Sequence, residues 1–114
     1  MILEHTGLKG FTTDLAHLDE VTAEQGFVRW QWEYRRATYD WKIEDAEGDF
    51  YLRFNCRAKS GKLESPYAML EIEDIYIGKA TFPHGLDYDV PLPERVRKAA
   101  EAKLDALHKA LTAE

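Results

Sequence analysis

The sequence predicts an α+β domain. Its expected form is an antiparallel sheet with two helices on one face, in the order β-α-β4-α. Three observations carry this. The middle of the chain alternates apolar and polar residues with a period of two, which builds strands with one greasy and one wet face. A shorter amphipathic segment ending in glycine precedes it, and a longer one entered through proline follows it. Neither the sheet nor a helix can hide its apolar side alone, so the helices are expected to cover the sheet.

The elements follow in order. Leu8 to Thr12 is a candidate short strand. Thr13 or Asp14 can cap the first helix, because a side-chain oxygen there accepts an orphan backbone N–H. Leu15, Leu18 and Val21 or Thr22 recur at helical spacing, and Gly26 ends the element. Val28, Trp30, Trp32 and Tyr34 then alternate with charged and polar residues. So do Tyr39, Trp41 and Ile43, and so do Phe50, Leu52, Phe54 and Cys56. A fourth run, Tyr67 to Glu73, sets Ala68, Leu70 and Ile72 on one side. The turns are Asp45 to Asp49 and Lys59 to Lys62. Short loops between such strands imply antiparallel neighbours.

The first hairpin admits a register argument. Pairing Arg35 with Asp40 sets Glu33 against Lys42, and facing opposite charges stabilise by about 0.2–1 kcal/mol per pair. In that register Trp30, Trp32 and Trp41 share the helix-covered face with Val28 and Ile43. The last helix is expected from Pro93 to about Leu111. Val96, Ala100, Leu104, Leu107 and Leu111 form one stripe, with Glu94–Lys98 and Asp105–Lys109 paired off it.

Composition bounds the rest. The 114 residues suffice for one domain, residues 1–114, with a core of its own. A net charge of -6 disfavours non-specific binding to nucleic acid. The lone cysteine, Cys56, permits no intrachain disulfide and suits a reducing compartment. No basic region followed by a long apolar run opens the chain, and no apolar stretch is long enough to span a bilayer. A cytoplasmic protein without membrane contact is expected.

Several stretches resemble the YugN-like family of small bacterial proteins. These are Leu8-Lys9-Gly10-Phe11, Trp32-Glu33-Tyr34, Tyr39-Asp40-Trp41-Lys42-Ile43, Tyr51-Leu52-Arg53-Phe54, His84-Gly85-Leu86-Asp87 and Pro93-Glu94. They run in order over most of the chain, and none is a chemical motif. The resemblance implies a TBP-like β-α-β4-α fold and assigns no catalytic residue. It also implies a segment between Leu63 and Asp87 that is reduced here.

Candidate chemistry is sparse. The aromatic stripe Trp30, Trp32, Tyr34, Tyr39 and Trp41 combines apolar area with polar handles and could line a ligand pocket, although alternating strands more often simply pack. His84, with Asp87 and Asp89, offers an imidazole and two carboxylates in a Pro-Gly loop. Solvated turn acids are the plainer reading, and no metal is expected. Arg29, Arg35, Arg36, Arg53 and Arg57 could form a basic patch, but Glu33, Asp40 and Glu44 interleave with them and cross-strand ion pairing is favoured. Cys56 lies in the apolar register beside Phe54, which favours a buried thiol over a nucleophile. His5, His17 and His108 are scattered, and Gly7-x-x-Gly10 lacks the Lys-Ser/Thr of a phosphate loop.

Two functions are therefore expected in order of preference. One is a non-catalytic binding or protein-interaction module, with a protein partner or a second copy held at a strand edge or the wet face. The other is a binder of a small apolar ligand between the last helix and the aromatic face, with Trp30, Trp32, Tyr34, Tyr39, His84 and Asp87 at the site. No cofactor and no nucleic acid is expected in either case.

Overall fold

The computed structural model describes residues 2–3, 6–31, 35–63, 65–81 and 85–113, of Gln31 the backbone only. Its elements are β1 (Ile2–Leu3), β2 (Thr12–Asp14), α1 (Leu15–Glu24), β3 (Val28–Gln31), β4 (Arg36–Asp45), β5 (Gly48–Ser60), β6 (Met69–Thr81), β7 (Gly85–Asp87) and α2 (Glu94–Thr112). All the strands join one antiparallel sheet. Its backbone is β6-β5-β4-β3, and the short strands β1, β2 and β7 line the outer edge of β6.

Local signals account for most of these boundaries. Asp14 caps α1 by accepting from the His17 backbone N–H at 2.8 Å. Gly26, at φ 88°, turns the chain from α1 into β3. The expected strand over residues 8–12 is instead a turn between Gly7 and Gly10, both at positive φ, and pairing begins only at Thr12. That turn plugs Leu8 into the core and sends the Gly10 N–H to the Ile72 carbonyl. Strand β6 outruns its expected length. A bulge opposite Asn55 shifts its parity, so that Ile72 and then Ile75 and Ile77 face the core.

Both helices lie on the face that carries Tyr39, Ile43, Leu52, Phe54 and Cys56. All five stripe residues of α2 are buried, as are Leu15, Leu18 and Val21 of α1. Lys103 of α2 donates to the Gln25 carbonyl at the end of α1 and sits 4.4 Å from the Trp41 ring centroid. His17 of α1 lies 3.1 Å from the Leu111 carbonyl. The two helices are thus tied to each other and to the sheet.

One expectation fails here. Strand β3 pairs Val28 with Asp40 and Trp30 with Thr38, not Arg35 with Asp40. The observed register has the opposite parity, so Val28 and Trp30 stand on the helix-free face and Arg29 turns to the helices. Phe27 supplies the reason. It is buried and packs edge-on against Phe54 with centroids 5.5 Å apart. Arg29, in the same parity, reaches Asp19 of α1 at 3.0 Å. Burying one phenyl ring is worth about 1.5–3 kcal/mol, which outweighs an exposed cross-strand charge pair.

Candidate functional site

The helix-free face holds the most organised polar chemistry among the described residues. One row across the sheet runs Val28, Asp40, Arg53, Tyr76, and the next runs Trp30, Thr38, Asn55. Arg53 grips Asp40 through two parallel bonds, Nε to Oδ1 at 2.7 Å and Nη2 to Oδ2 at 2.9 Å. Such a fork is both strong and directional. The carboxylate is almost wholly buried beneath it. The hydrogen bond to Asp40 is the main reason the guanidinium holds its proton even more tightly than usual, against the opposing effect of burial.

Tyr88 roofs this pair. The third guanidinium nitrogen of Arg53 donates to its hydroxyl at 3.1 Å, and its ring lies 5.6 Å from that of Tyr76. The roof is possible because Gly78 lies beneath. A Cβ there would come within 3.0 Å of the Tyr88 ring and 3.1 Å of the Asp87 carbonyl oxygen. Burial, and then the charge of Asp74, pushes the Tyr76 phenol up. The Lys9 ammonium, 2.7 Å from Asp74, in turn holds that carboxyl below its usual range. Beside the pair, Thr38 donates to Asn55 at 2.9 Å. At the outer strand the polar network gives way to Val28 and Trp30, 58% and 52% exposed.

The expected site residues disperse. Trp30 lies on the helix-free face, against expectation, for the parity reason given above. Tyr39 lies on the opposite face and is part of the core: it is fully buried, stacks on Phe54 at 5.0 Å and donates its hydroxyl to Asp19 at 2.9 Å. Asp87, at the end of β7, accepts from the Asp89 backbone N–H at 2.9 Å, the geometry of a turn acid. It lines a shallow hollow with Thr81, Leu86, Tyr88 and Asp89. Trp32, Tyr34 and His84 lie outside the described residues. No group of three potential metal ligands comes together among the described residues. Cys56 is buried, which pushes its thiol up.

The arginines divide. Arg53 meets Asp40 across the β4–β5 ladder, the expected kind of pairing, whereas Arg29 departs from it and pairs with Asp19 of α1 on the covered face. Arg35, Arg36 and Arg57 instead gather with Lys59 around one hollow at the end of β4 and β5. Two residues central to the polar network, Tyr76 and Tyr88, drew no attention in the sequence. Tyr76 lies beyond the expected end of its strand, and Tyr88 acts only through the short strand β7.

A family model, the YugN-like family, matches residues 4–109. The chain belongs to the YugN-like family. A Bacillus subtilis (strain 168) relative, uncharacterized protein YlbA, is 38% identical over 84 residues, which cover 73% of this chain and 70% of the relative. The crystal structure of uncharacterized conserved protein YugN from Geobacillus kaustophilus HTA426 superposes with a TM-score of 0.85 at 34% identity. It covers 97% of this chain and 94% of that one. The family fold is therefore an α+β arrangement of one antiparallel sheet and two helices. Among the described residues, no helix is long and apolar enough to cross a membrane.

Proposed function

We propose that this YugN-like chain is a non-catalytic interaction module that pairs with a second copy of itself along β3. One observation carries the reading: Val28 and Trp30 stand side by side, more than half exposed, on an edge strand of a face whose centre is polar and internally bonded. An edge strand offers unpaired backbone N–H and C=O groups as a template for another strand. Tryptophan, tyrosine and arginine are the residues most often central to protein interfaces.

Register favours a particular pairing. An antiparallel self-pairing that keeps the faces aligned is centred on Arg29 or on Trp30. Centring on Arg29 opposes like charges. Centring on Trp30 opposes two indoles on the helix-free face, the better cross-strand pair. The Asp40–Arg53–Tyr88 network then forms a fixed polar rim that loses little freedom on association.

A non-catalytic role accords with the state of the nucleophiles. Burial pushes up both the Cys56 thiol and the Tyr39 phenol, so neither is activated. Tyr39, Phe54, Leu104 and Leu107 are buried together in the core beneath α2, which weighs against an apolar ligand held there. The single buried thiol and the acidic balance fit a reducing cytoplasm, away from nucleic acid and membranes.

Sedimentation velocity over a concentration series tests the proposal. The expected result is a reversible dimer that Trp30→Asp dissociates while its far-UV circular dichroism is unchanged. A wild-type chain that stays monomeric at its highest soluble concentration would overturn it.

A further inference from the structure

The basic hollow at the end of β4 and β5 lies apart from the β3 edge and does not depend on the proposed dimer. It has a volume of about 400 Å³ and is lined by Arg35, Arg36, Arg57, Ala58 and Lys59. Four of its five residues carry positive charge in a protein whose net charge is -6. The cluster is therefore not a sample of the general surface.

Three features make it more than a chance grouping. Arg36 and Arg57 are direct cross-strand partners in the β4–β5 ladder, and like charges placed opposite each other destabilise a sheet. Arg35 is held at the same place by the backbone, since the Ala58 N–H donates to its carbonyl at 2.7 Å. Among the described residues, Arg35 and Arg57 form no ion pair. The carboxylate nearest in register, Glu71 opposite Arg57, lies 3.8 Å from Lys59. Elsewhere on the sheet the pattern is different: Arg29 meets Asp19, Arg53 meets Asp40, and Arg95 meets Asp45. Two arginines without a carboxylate partner among the described residues, Arg35 and Arg57, brought to one hollow with further cations beside them are the arrangement an anion would relieve.

We propose that this hollow binds a small multivalent oxoanion, with a di- or triphosphate group as the best fit. Guanidinium forks match phosphate oxygens two at a time, and arginines on two adjacent strands can clamp successive phosphates. The lysine adds an adaptable point charge at the rim. The volume lies at the lower end for small-molecule sites, so the hollow takes the charged group and leaves any attached moiety outside. Such a group can come from inorganic polyphosphate or from the tail of a nucleotide, and the shared chemistry is the phosphate chain.

Isothermal titration of the full chain, at ionic strength held constant with sodium chloride, is the test. The probes are tripolyphosphate, ATP and adenosine. Saturable one-to-one binding of tripolyphosphate is expected, with none of adenosine. Equal affinity for ATP would mark the phosphate chain alone as the determinant, and tighter ATP binding would mark the nucleotide as the source. Both outcomes support the site. Arg57→Gln and Arg35→Gln should each weaken binding by about tenfold or more, the loss of one charge-assisted contact. Arg97→Gln, on the exposed face of α2, should not. No saturable binding of either phosphate probe, or equal weakening by Arg97→Gln, overturns the proposal. So does tighter binding of a single-stranded oligonucleotide than of ATP, which would make the cluster part of an extended nucleic-acid track.

Discussion

The two faces of this sheet are held together by different physics. On the helix-covered face, Tyr39, Phe54 and Phe27 form an aromatic stack beneath two helices, and polar bonds such as Tyr39 to Asp19 and Arg29 to Asp19 sit at the margin of the core. On the helix-free face, Asp40 is just as hidden, yet its cover is a guanidinium and a phenol rather than apolar side chains. The covered face gains its stability from area removed from water, which is tolerant of direction but not of lost volume. The open face depends on directed bonds, which hold side chains still without a layer on top. A surface fixed in that way can present chemistry to a partner, whereas the covered face can only be packed.

The contrast can be broken most forcefully at Phe54. Truncation to alanine removes the ring that both Tyr39 and Phe27 pack on, and should cost about 3–5 kcal/mol in urea denaturation. A loss under about 1 kcal/mol would mean the covered face is loosely packed and would reopen the pocket reading. The next largest effect is expected at Asp40. Asp40→Asn keeps the shape but removes the charge that Arg53 grips, at a cost of about 1–3 kcal/mol. A double-mutant cycle with Arg53→Gln should show strong coupling, and additive losses would show that the fork is ornamental.

Legibility in the sequence differed between the same two faces. The covered face could be read because burial imposes periodicity. All five stripe residues of α2 and the alternation of β5 fall where the pattern puts them. The helix start is legible to within one residue, Thr13 or Asp14, and Asp14 takes the cap. Strand β3 could not be read, because Phe27-Val28 offers apolar residues in both parities. The visible tryptophans suggested one answer, and Phe27 with the Arg29–Asp19 contact enforced the other. The aromatic stripe therefore does not share one face: Trp30 stands opposite to Tyr39 and Trp41. The open-face site was illegible for a second reason: its parts come from β4, β5, β6 and the turn after β7, and no spacing rule links them. The Arg36–Arg57 pairing likewise follows only from the ladder.

Alkaline titration sharpens the comparison on the covered side. Burial raises the pKa of the Cys56 thiol and the Tyr39 phenol in the folded state. A folded-state pKa above the unfolded value means the native protein holds the proton more tightly. The resulting stability is complete below the unfolded pKa, about 8.5 for cysteine and about 10 for tyrosine, and is lost as pH rises further. Unfolding free energy should decline above about pH 8.5, by up to about 1.4 kcal/mol per pH unit for each buried group. In Cys56→Ala the decline should begin nearer pH 10. An unchanged onset in that variant would show that the thiol is not sealed in the core.

The smallest effect on stability and the largest on assembly should coincide at Trp30. More than half of its surface is already in water, so Trp30→Ala in the monomer should cost less than about 0.5 kcal/mol. Trp41, half-buried under the Lys103 ammonium, should behave oppositely and cost several times more. Fluorescence separates the two before any stability measurement. In dilute solution, acrylamide should quench Trp30 readily, so the Trp30→Phe variant should be quenched less steeply than wild type. Raising the protein concentration into the dimer range should then protect wild type, because the two indoles face each other across the two-fold axis. It should leave Trp30→Phe unchanged. Protection that appears equally in both proteins would place the contact somewhere other than β3, and quenching of wild type that ignores concentration would leave the edge strand solvent-facing in every state.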